Sequence, residues 1–378
     1  MTGILQDLLL QSAFLQNEKG LQAWQAWKAM VDLDGPLHPG TFRLLPLIYR
    51  NLYRQEIDDP LLMKIKGVSH KNWTRNILAL QALAQPLRGF ESDGIKFIAL
   101  GGLAFILQGH PDYSAYPPDQ YSILVKPEKA NFAIQRLRNL GWIPSPDLPQ
   151  TLDESLIAAK MFQTFYCDSG KKIRLYWQLL SNTNQSPADE TLWIDALTVH
   201  NSDLTALTLN PADQLLYILQ KDRISIRPSF FLQAVDTMLV LEANLEGVNW
   251  ERLIGLAQEH RLLYQLQRIV GYLQDLLEVA ELQTSLTGIR KLPVARSERF
   301  IYHFSFHRFS SLDHFPYAWF YYIQHSHRKP RWERVLGFLN LLWLNWHWRY
   351  LWLFPAFVLV FGMDKIRRMV KISPNSLC

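Results

Sequence analysis

Gln120 and Ser122 stand two residues apart at the head of the apolar run "YSILV", Tyr121 to Val125. Side chains of an extended chain alternate, so these two would share one face. Carboxylates at that spacing hold Mg²⁺, a hard cation that takes anionic oxygen. An amide and a hydroxyl offer neutral oxygen only. Asp119 is the adjoining carboxylate. A slip of one residue would bring it to the first place but Tyr121 to the second, and a single carboxylate makes no cage. Its plainer reading is a turn residue after Pro117-Pro118. Asp112, in the same polar loop, could approach. His303 and His307 would share a helix face, but no carboxylate or cysteine lies at a helpful spacing and HExxH is absent. Cys167 reads as structural, beside a hairpin turn. No nucleophile elbow, P-loop or dinucleotide fingerprint occurs.

Several elements must position these residues. Residues 1–94 read as helical, with apolar residues at helical spacing in "LQAWQAWKAMVDL" and in "NILALQALAQPLRGFESDG". In "TFRLLPLIYRNLY", Leu44, Leu45, Ile48 and Leu52 fall on one face, with Pro46 tolerated near a helix start. The pattern then changes. "IKFIAL" is a short strand stopped by Gly101-Gly102, a tight turn into the helix "LAFILQG". "YSILV" is a second strand and "PEKANFAIQRLRNLG" an amphipathic helix. "MFQTFYCDSGKKIRLYWQLL" reads as a hairpin turning at Asp168-Ser169-Gly170. Helices return at "NPADQLLYILQ", with Asn210 as N-cap and Pro211 at the first helical position.

The chain has 378 residues, 48% hydrophobic and 19% charged, enough for two or three domains with a sizeable core. Two cysteines exclude a disulfide framework and suit a reducing cytosol. The first twenty residues lack a basic segment and a small-residue cleavage site, so they read as an amphipathic helix, not a secretory signal. Net charge is +5, but nine Lys/Arg and only two acids lie from Arg328 onward. The body is therefore slightly acidic. That argues against a nucleic-acid-binding face on the main domain.

The order helix, strand, Gly-Gly, helix, loop, strand and later strand resembles the nucleotidyltransferase core of the DNA polymerase β type. More narrowly, "LPLIYRNLY", "GIKFIALGGLAFILQG", "IRLYWQL" and "DQLLYILQ" through "NWERLIGLAQEHRLL" are similar, in order and spacing, to segments of the uncharacterised nucleotidyltransferase family. The resemblance covers residues 35 to 280. It implies an α+β fold: a helical region 1–94, a core 95–200 built on a small mixed sheet, a helical domain 201–290 and a basic aromatic tail 291–378. It also implies a site. The spacing from Gly102 to Gln120 matches the family's glycine-to-aspartate spacing without a gap. The family's two strand aspartates then fall on Gln120 and Ser122, its third carboxylate on Arg174, its arginine on Tyr116 and a histidine on Tyr176. Gly101 and Gly102 would bring backbone amides to a triphosphate. In such enzymes two Mg²⁺ ions activate the attacking oxygen and neutralise the phosphates. Here about three negative charges are gone and one positive is added, repelling metal by on the order of several kcal/mol at an effective dielectric near 20. Arg174 could instead hold an anion without metal, or pair with an acid such as Asp119.

The expected function is therefore a nucleotidyltransferase-family protein with lost or strongly altered two-metal catalysis, serving as a nucleotide-binding, scaffold or regulatory protein. No metal is expected, and Mg²⁺ with NTP only if the site is active. One alternative is an active transferase moving a nucleotide from an NTP to a small molecule, sugar or protein, with Asp119 as the rescue carboxylate. The other is a membrane-associated adaptor. The latter comes from the tail. "VLGFLNLLWLNWHWRYLWLFPAFVLVFGM" is rich in Trp, carries Arg349 near its middle and is flanked by cations. Arg349 and Pro355 disfavour a single span. The pattern suits peripheral contact of residues 328–371 with a membrane interface, from a cytoplasmic location.

Overall fold

A computed structural model describes residues 3–299 apart from 36, 38, 111–112, 116–120, 146–147, 181–188, 202–203, 225–228, 245–246, 278–287 and 296–297, together with Tyr302. The chain divides into two units, Met1–Pro144 with Met161–Arg308, and Ser145–Lys160 with Phe309–Cys378. The described part of the second unit holds one short helix, Glu154–Ala159, capped by Asp153, whose carboxylate accepts the Leu156 N–H at 2.8 Å.

In the first unit, helices α1 (Ile4–Phe14), α2 (Glu18–Met30), α3 (Pro39–Arg54) and α4 (Leu62–Ser92) precede the first strand. Asn17 caps α2 by accepting the Gly20 N–H at 3.3 Å. Leu44, Leu45, Ile48 and Leu52 are buried along one side of α3, as their spacing predicts. Pro46 lies in the middle of α3, not near its start, because Pro39 opens the helix two turns earlier. A proline removes the N–H that would bond the carbonyl four residues back. That carbonyl, of Phe42, accepts from Asn72 Nδ2 of α4 at 3.5 Å.

Among the described residues, seven strands form one mixed sheet: β1 (Phe97–Leu100), β2 (Tyr121–Val125), β3 (Ile143–Ser145), β4 (Phe162–Tyr166), β5 (Lys172–Tyr176), β6 (Leu197–Asn201) and β7 (Leu204–Thr208). Their spatial order is β3-β4-β5-β2-β1-β7-β6. The centre is fixed by three pairings: β1 with β2 antiparallel, β2 with β5 parallel, and β4 with β5 antiparallel. The hairpin β4–β5 turns where the sequence places it, with Gly170 at φ 74° and its N–H on the Cys167 carbonyl at 2.9 Å. Helix α5 (Gly102–Leu107) follows β1 directly, and α6 (Ala130–Asn139) follows β2.

The remaining helices of this unit are α8 (Glu190–Ile194), α9 (Pro211–Ile224), α10 (Phe230–Asn244), α11 (Trp250–Glu259) and α12 (Leu263–Leu277), counting the second unit's Glu154–Ala159 as α7. Asn210 caps α9 by accepting the Asp213 N–H at 3.0 Å, with Pro211 first in the helix. One continuous core of Leu, Ile, Trp and Val side chains from α1–α3 and α9–α12 reaches the β1–β2–β5 centre through Ile98, Leu100, Leu124 and Tyr176. The sheet centre is thus backed by this core of helices.

Candidate functional site

Strand pairing brings three of the sequence-predicted residues together. Leu100 lies opposite Ser122, so Gly101 is the next residue beyond that pair. Ser122 lies opposite Arg174 on the other side. Neighbouring strands are about 4.7–4.9 Å apart, so the guanidinium stem of Arg174 rises directly beside the Ser122 hydroxyl. Gly102 is the first residue of α5, and Gly101 turns the chain into it at φ 55°, ψ −130°. Gln120, Asp119, Asp112 and Tyr116 lie outside the described residues, as do His303, His307 and the tail from residue 303.

None of the strands β1, β2, β4 or β5 carries an Asp or Glu. What stands there instead is a set of phenols and one guanidinium. Helix α9 delivers Tyr217. Its ring packs on Gly101, where a Cβ would meet Tyr217 Cε1 at 3.3 Å. Its hydroxyl shares a hydrogen bond with Ser122. Tyr176, on β5, meets Tyr217 edge to face, with centroids 6.4 Å apart. Arg174 Nη1 donates to the Tyr176 hydroxyl at 3.3 Å, and its guanidinium lies over the Phe162 ring, 4.7 Å from the centroid. A guanidinium on an aromatic face is a favourable cation–π arrangement.

The electrostatics follow from burial. Ser122 and Tyr217 are buried. Burial pushes the Tyr217 phenol well above its usual range, Tyr176 adds to the rise, and the Ser122 hydrogen bond and Arg174 only moderate it. Burial pulls the Arg174 guanidinium down, but Tyr176, Tyr217 and Tyr166 more than offset this and leave it raised. The site therefore holds neutral hydroxyls around one permanent cation. Two-metal chemistry needs the reverse, anionic oxygens around a vacancy that cations fill. The oxygens here that are described do not fit Mg²⁺: Ser122's is neutral and engaged by Tyr217, and the third carboxylate place carries a positive charge. The described residues contain no group of three or more His, Cys, Asp or Glu that could take a metal.

A buried ion cluster braces this arrangement. Asp236 of α10 is paired with Arg43 of α3 and, at 2.7 Å, with Lys221 of α9. Lys221 is one helical turn beyond Tyr217 and shares its face. Arg43 Nε also donates to the Ala115 carbonyl at 3.1 Å, tying α3 to the loop that leads toward Gln120. Burial works to raise Asp236, but Arg43 and Lys221 hold its carboxyl below the usual range.

Reading the residues alone missed Tyr217, Phe162 and the Asp236 cluster. Tyr217 sits inside "DQLLYILQ", an apolar helical run in which it passes for one more core residue. The available signal was chemical: a buried phenol needs a hydrogen-bond partner, and Ser122 supplies it.

A mixed sheet with β1, β2 and β5 near its centre, a Gly-Gly turn from β1 into α5 and flanking helices make this a mixed α/β protein. The chain belongs to the uncharacterised nucleotidyltransferase family, whose model matches residues 41–278. No curated protein and no solved structure matches it.

Proposed function

We propose that this chain is a nucleotidyltransferase-family protein that has given up two-metal transfer and serves as a nucleotide-binding regulatory or scaffold protein. The polymerase-β-like core is part of the same reading. The observation that carries it is the Ser122–Arg174 pairing beneath Tyr217. A cation and a neutral phenol occupy the space that anionic ligands would share with Mg²⁺, and a guanidinium is a group that attracts phosphate without metal. The test is calorimetry with nucleoside triphosphates, with and without Mg²⁺, beside an assay for pyrophosphate release. Binding that needs no Mg²⁺, with no pyrophosphate formed, is the expected result. Mg²⁺-dependent binding with steady pyrophosphate release would instead establish the active transferase, with Asp119 and a loop or substrate carboxylate supplying the metal ligands.

The same reading puts residues 328–371 in peripheral contact with a membrane interface. The support is the sequence pattern of clustered Trp and flanking Lys/Arg. Among the described residues no helix is long and apolar enough to cross a membrane. Co-sedimentation of the full chain with anionic vesicles, lost at high salt, is expected. Failure to sediment even at low salt would remove the membrane from the proposal.

A further inference from the structure

Helix α4 presents an outward face unlike the rest of the body. From Leu62 to Phe90 it carries Lys64, Lys66, Lys71, Arg75 and Arg88 and no Asp or Glu, although the chain before Arg328 is slightly acidic. Its inner side is fixed by the buried Ile65, Asn76, Ala79 and Leu83. At 3.6 residues per turn, Met63, Lys66, His70, Lys71, Trp73 and Leu78 fall in the opposite sector, about 160° wide. All six are exposed. Three of them are large and apolar or aromatic: Met63 is 73% exposed, Trp73 45% and Leu78 54%. His70 and Trp73 meet edge to face, with ring centroids 5.8 Å apart. From Met63 to Leu78 the face runs about 22 Å along the helix. Lys64, at its edge, is paired with Asp34. Lys66 and Lys71 pair with no acid among the described residues.

We infer that this face of α4 docks peripherally on an anionic lipid bilayer. The occupant follows from the mixture of side chains. A positive helix surface without acids complements the negative charge of acidic headgroups. Trp settles at headgroup level, and Lys stems lie along apolar surface while their ammonium groups reach the headgroups. Met63 and Leu78 lose contact with water on a bilayer. They would gain nothing along a nucleic-acid backbone, which is held by charge. The face belongs to the first unit and its docking does not depend on the tail, so the two membrane contacts can fail separately.

The test puts an environment-sensitive fluorophore at position 74, in the middle of the face. Thr74→Cys in the full chain, with Cys167→Ser and Cys378→Ser, provides the attachment. Mixed phosphatidylserine–phosphatidylcholine vesicles should shift the emission to the blue, and phosphatidylcholine vesicles should not. Lys66→Gln with Lys71→Gln should raise the lipid concentration at half-shift about 30-fold. Lys66→Arg with Lys71→Arg should leave it near the starting value, and Leu78→Gln should raise it. A chain that sediments with the mixed vesicles while the label stays unchanged would overturn the inference and leave the tail as the contact. An unchanged Lys66→Gln, Lys71→Gln protein would overturn it too. A shift produced by single-stranded RNA and not by vesicles would make the face a nucleic-acid surface instead. Neither sedimentation nor a shift would overturn both membrane contacts.

Discussion

Tyr217 is packed against Gly101 so closely that a Cβ on the glycine would stand 3.3 Å from its ring and 3.8 Å from its hydroxyl oxygen. The turn has two reasons to be glycine. Its backbone, at φ 55° and ψ −130°, is one that L side chains rarely adopt. Its open side is where a tyrosine from another part of the sequence, on α9, comes to rest. The strand-to-helix turn is thus the seat of a phenol, and that phenol reaches the buried Ser122 on the neighbouring strand.

Replacing Gly101 by alanine should destabilise the protein by about 1–3 kcal/mol, chiefly through the backbone conformation. Because the ring contact is secondary, adding Tyr217→Leu to Gly101→Ala should not restore the loss. Denaturant unfolding of the single and double variants checks this. Full recovery in the double variant would show that the ring contact, and not the turn, demands glycine.

Tyr217→Phe keeps the ring and removes the hydroxyl, leaving the buried Ser122 hydroxyl without that partner. A loss of about 1–3 kcal/mol is expected. Tyr217 also predicts an alkaline effect. Its folded pKa is raised well above the ordinary value of 10. Its contribution is therefore fully present below pH 10 and is lost as pH rises beyond it, since the unfolded chain ionises first. Phenolate absorbance should show one tyrosine fewer to titrate, before unfolding, in Tyr217→Phe only if Tyr217 titrates in the native state. Equal native titration of the two proteins is the expected result.

Much of the site's frame was legible because the relevant segments are short, apolar and punctuated. β1 ends at Gly101, β2 begins after a proline-rich loop, and the β4–β5 turn is marked by Gly170. Strand adjacency then follows from the family resemblance, and the Ser122–Arg174 pairing agrees with it. β3 and β6 were not legible. Each is short and mostly exposed, too brief a pattern to read. β7 runs parallel to β1 far from it in sequence, a pairing that local pattern does not reveal. The Asp236 cluster was hidden for the same reason. Its three partners come from α3, α9 and α10, and nothing local in any of them announces the others.

Two of the buried carboxylates, Asp236 and Asp189, should pull the acid stability in opposite directions. Asp236 is held below the usual range by Arg43 and Lys221. Its contribution is present above the unfolded value of 3.8 and is lost as pH falls through the lower folded value. Asp189 is the reverse case. It accepts the N–H groups of Leu179 and Leu180 at 2.7 and 2.8 Å, yet burial pushes its carboxyl up from 3.8 to about 6. Its contribution is fully present below pH 3.8 and is lost as pH rises through 6, a difference of about 3 kcal/mol. Asp189→Asn should flatten the stability profile between those values. Asp236→Asn, which leaves the buried Arg43 and the half-buried Lys221 short of their counter-charge, should cost about 3 kcal/mol near neutral pH. Unfolding curves from pH 3.5 to 7.5 on the three proteins measure both effects. A wild-type profile unchanged by Asp189→Asn would show that this carboxyl titrates normally.

Placing carboxylates at positions 120 and 122 tests the proposal that this site does not support metal chemistry. Gln120→Asp with Ser122→Asp returns two anionic oxygens at the spacing Mg²⁺ requires. Three features of the fold stand against recovery. Arg174 lies directly opposite position 122 and would pair with the new carboxylate before a metal could. Tyr217 covers that position and loses its Ser122 partner, so its buried hydroxyl would take up an oxygen of the new Asp. No third carboxylate is present on β5, whose residues are Lys172 to Tyr176. The expected outcome is a folded double variant with no gain in Mg²⁺ affinity. Adding Arg174→Asp to it removes the competing cation and supplies the third ligand, and Mg²⁺ binding should then rise, by calorimetry, while metal-free nucleotide binding falls. Strong Mg²⁺ binding by the double variant alone would mean that two residues, and not the surrounding guanidinium and phenols, decide whether this fold holds metal.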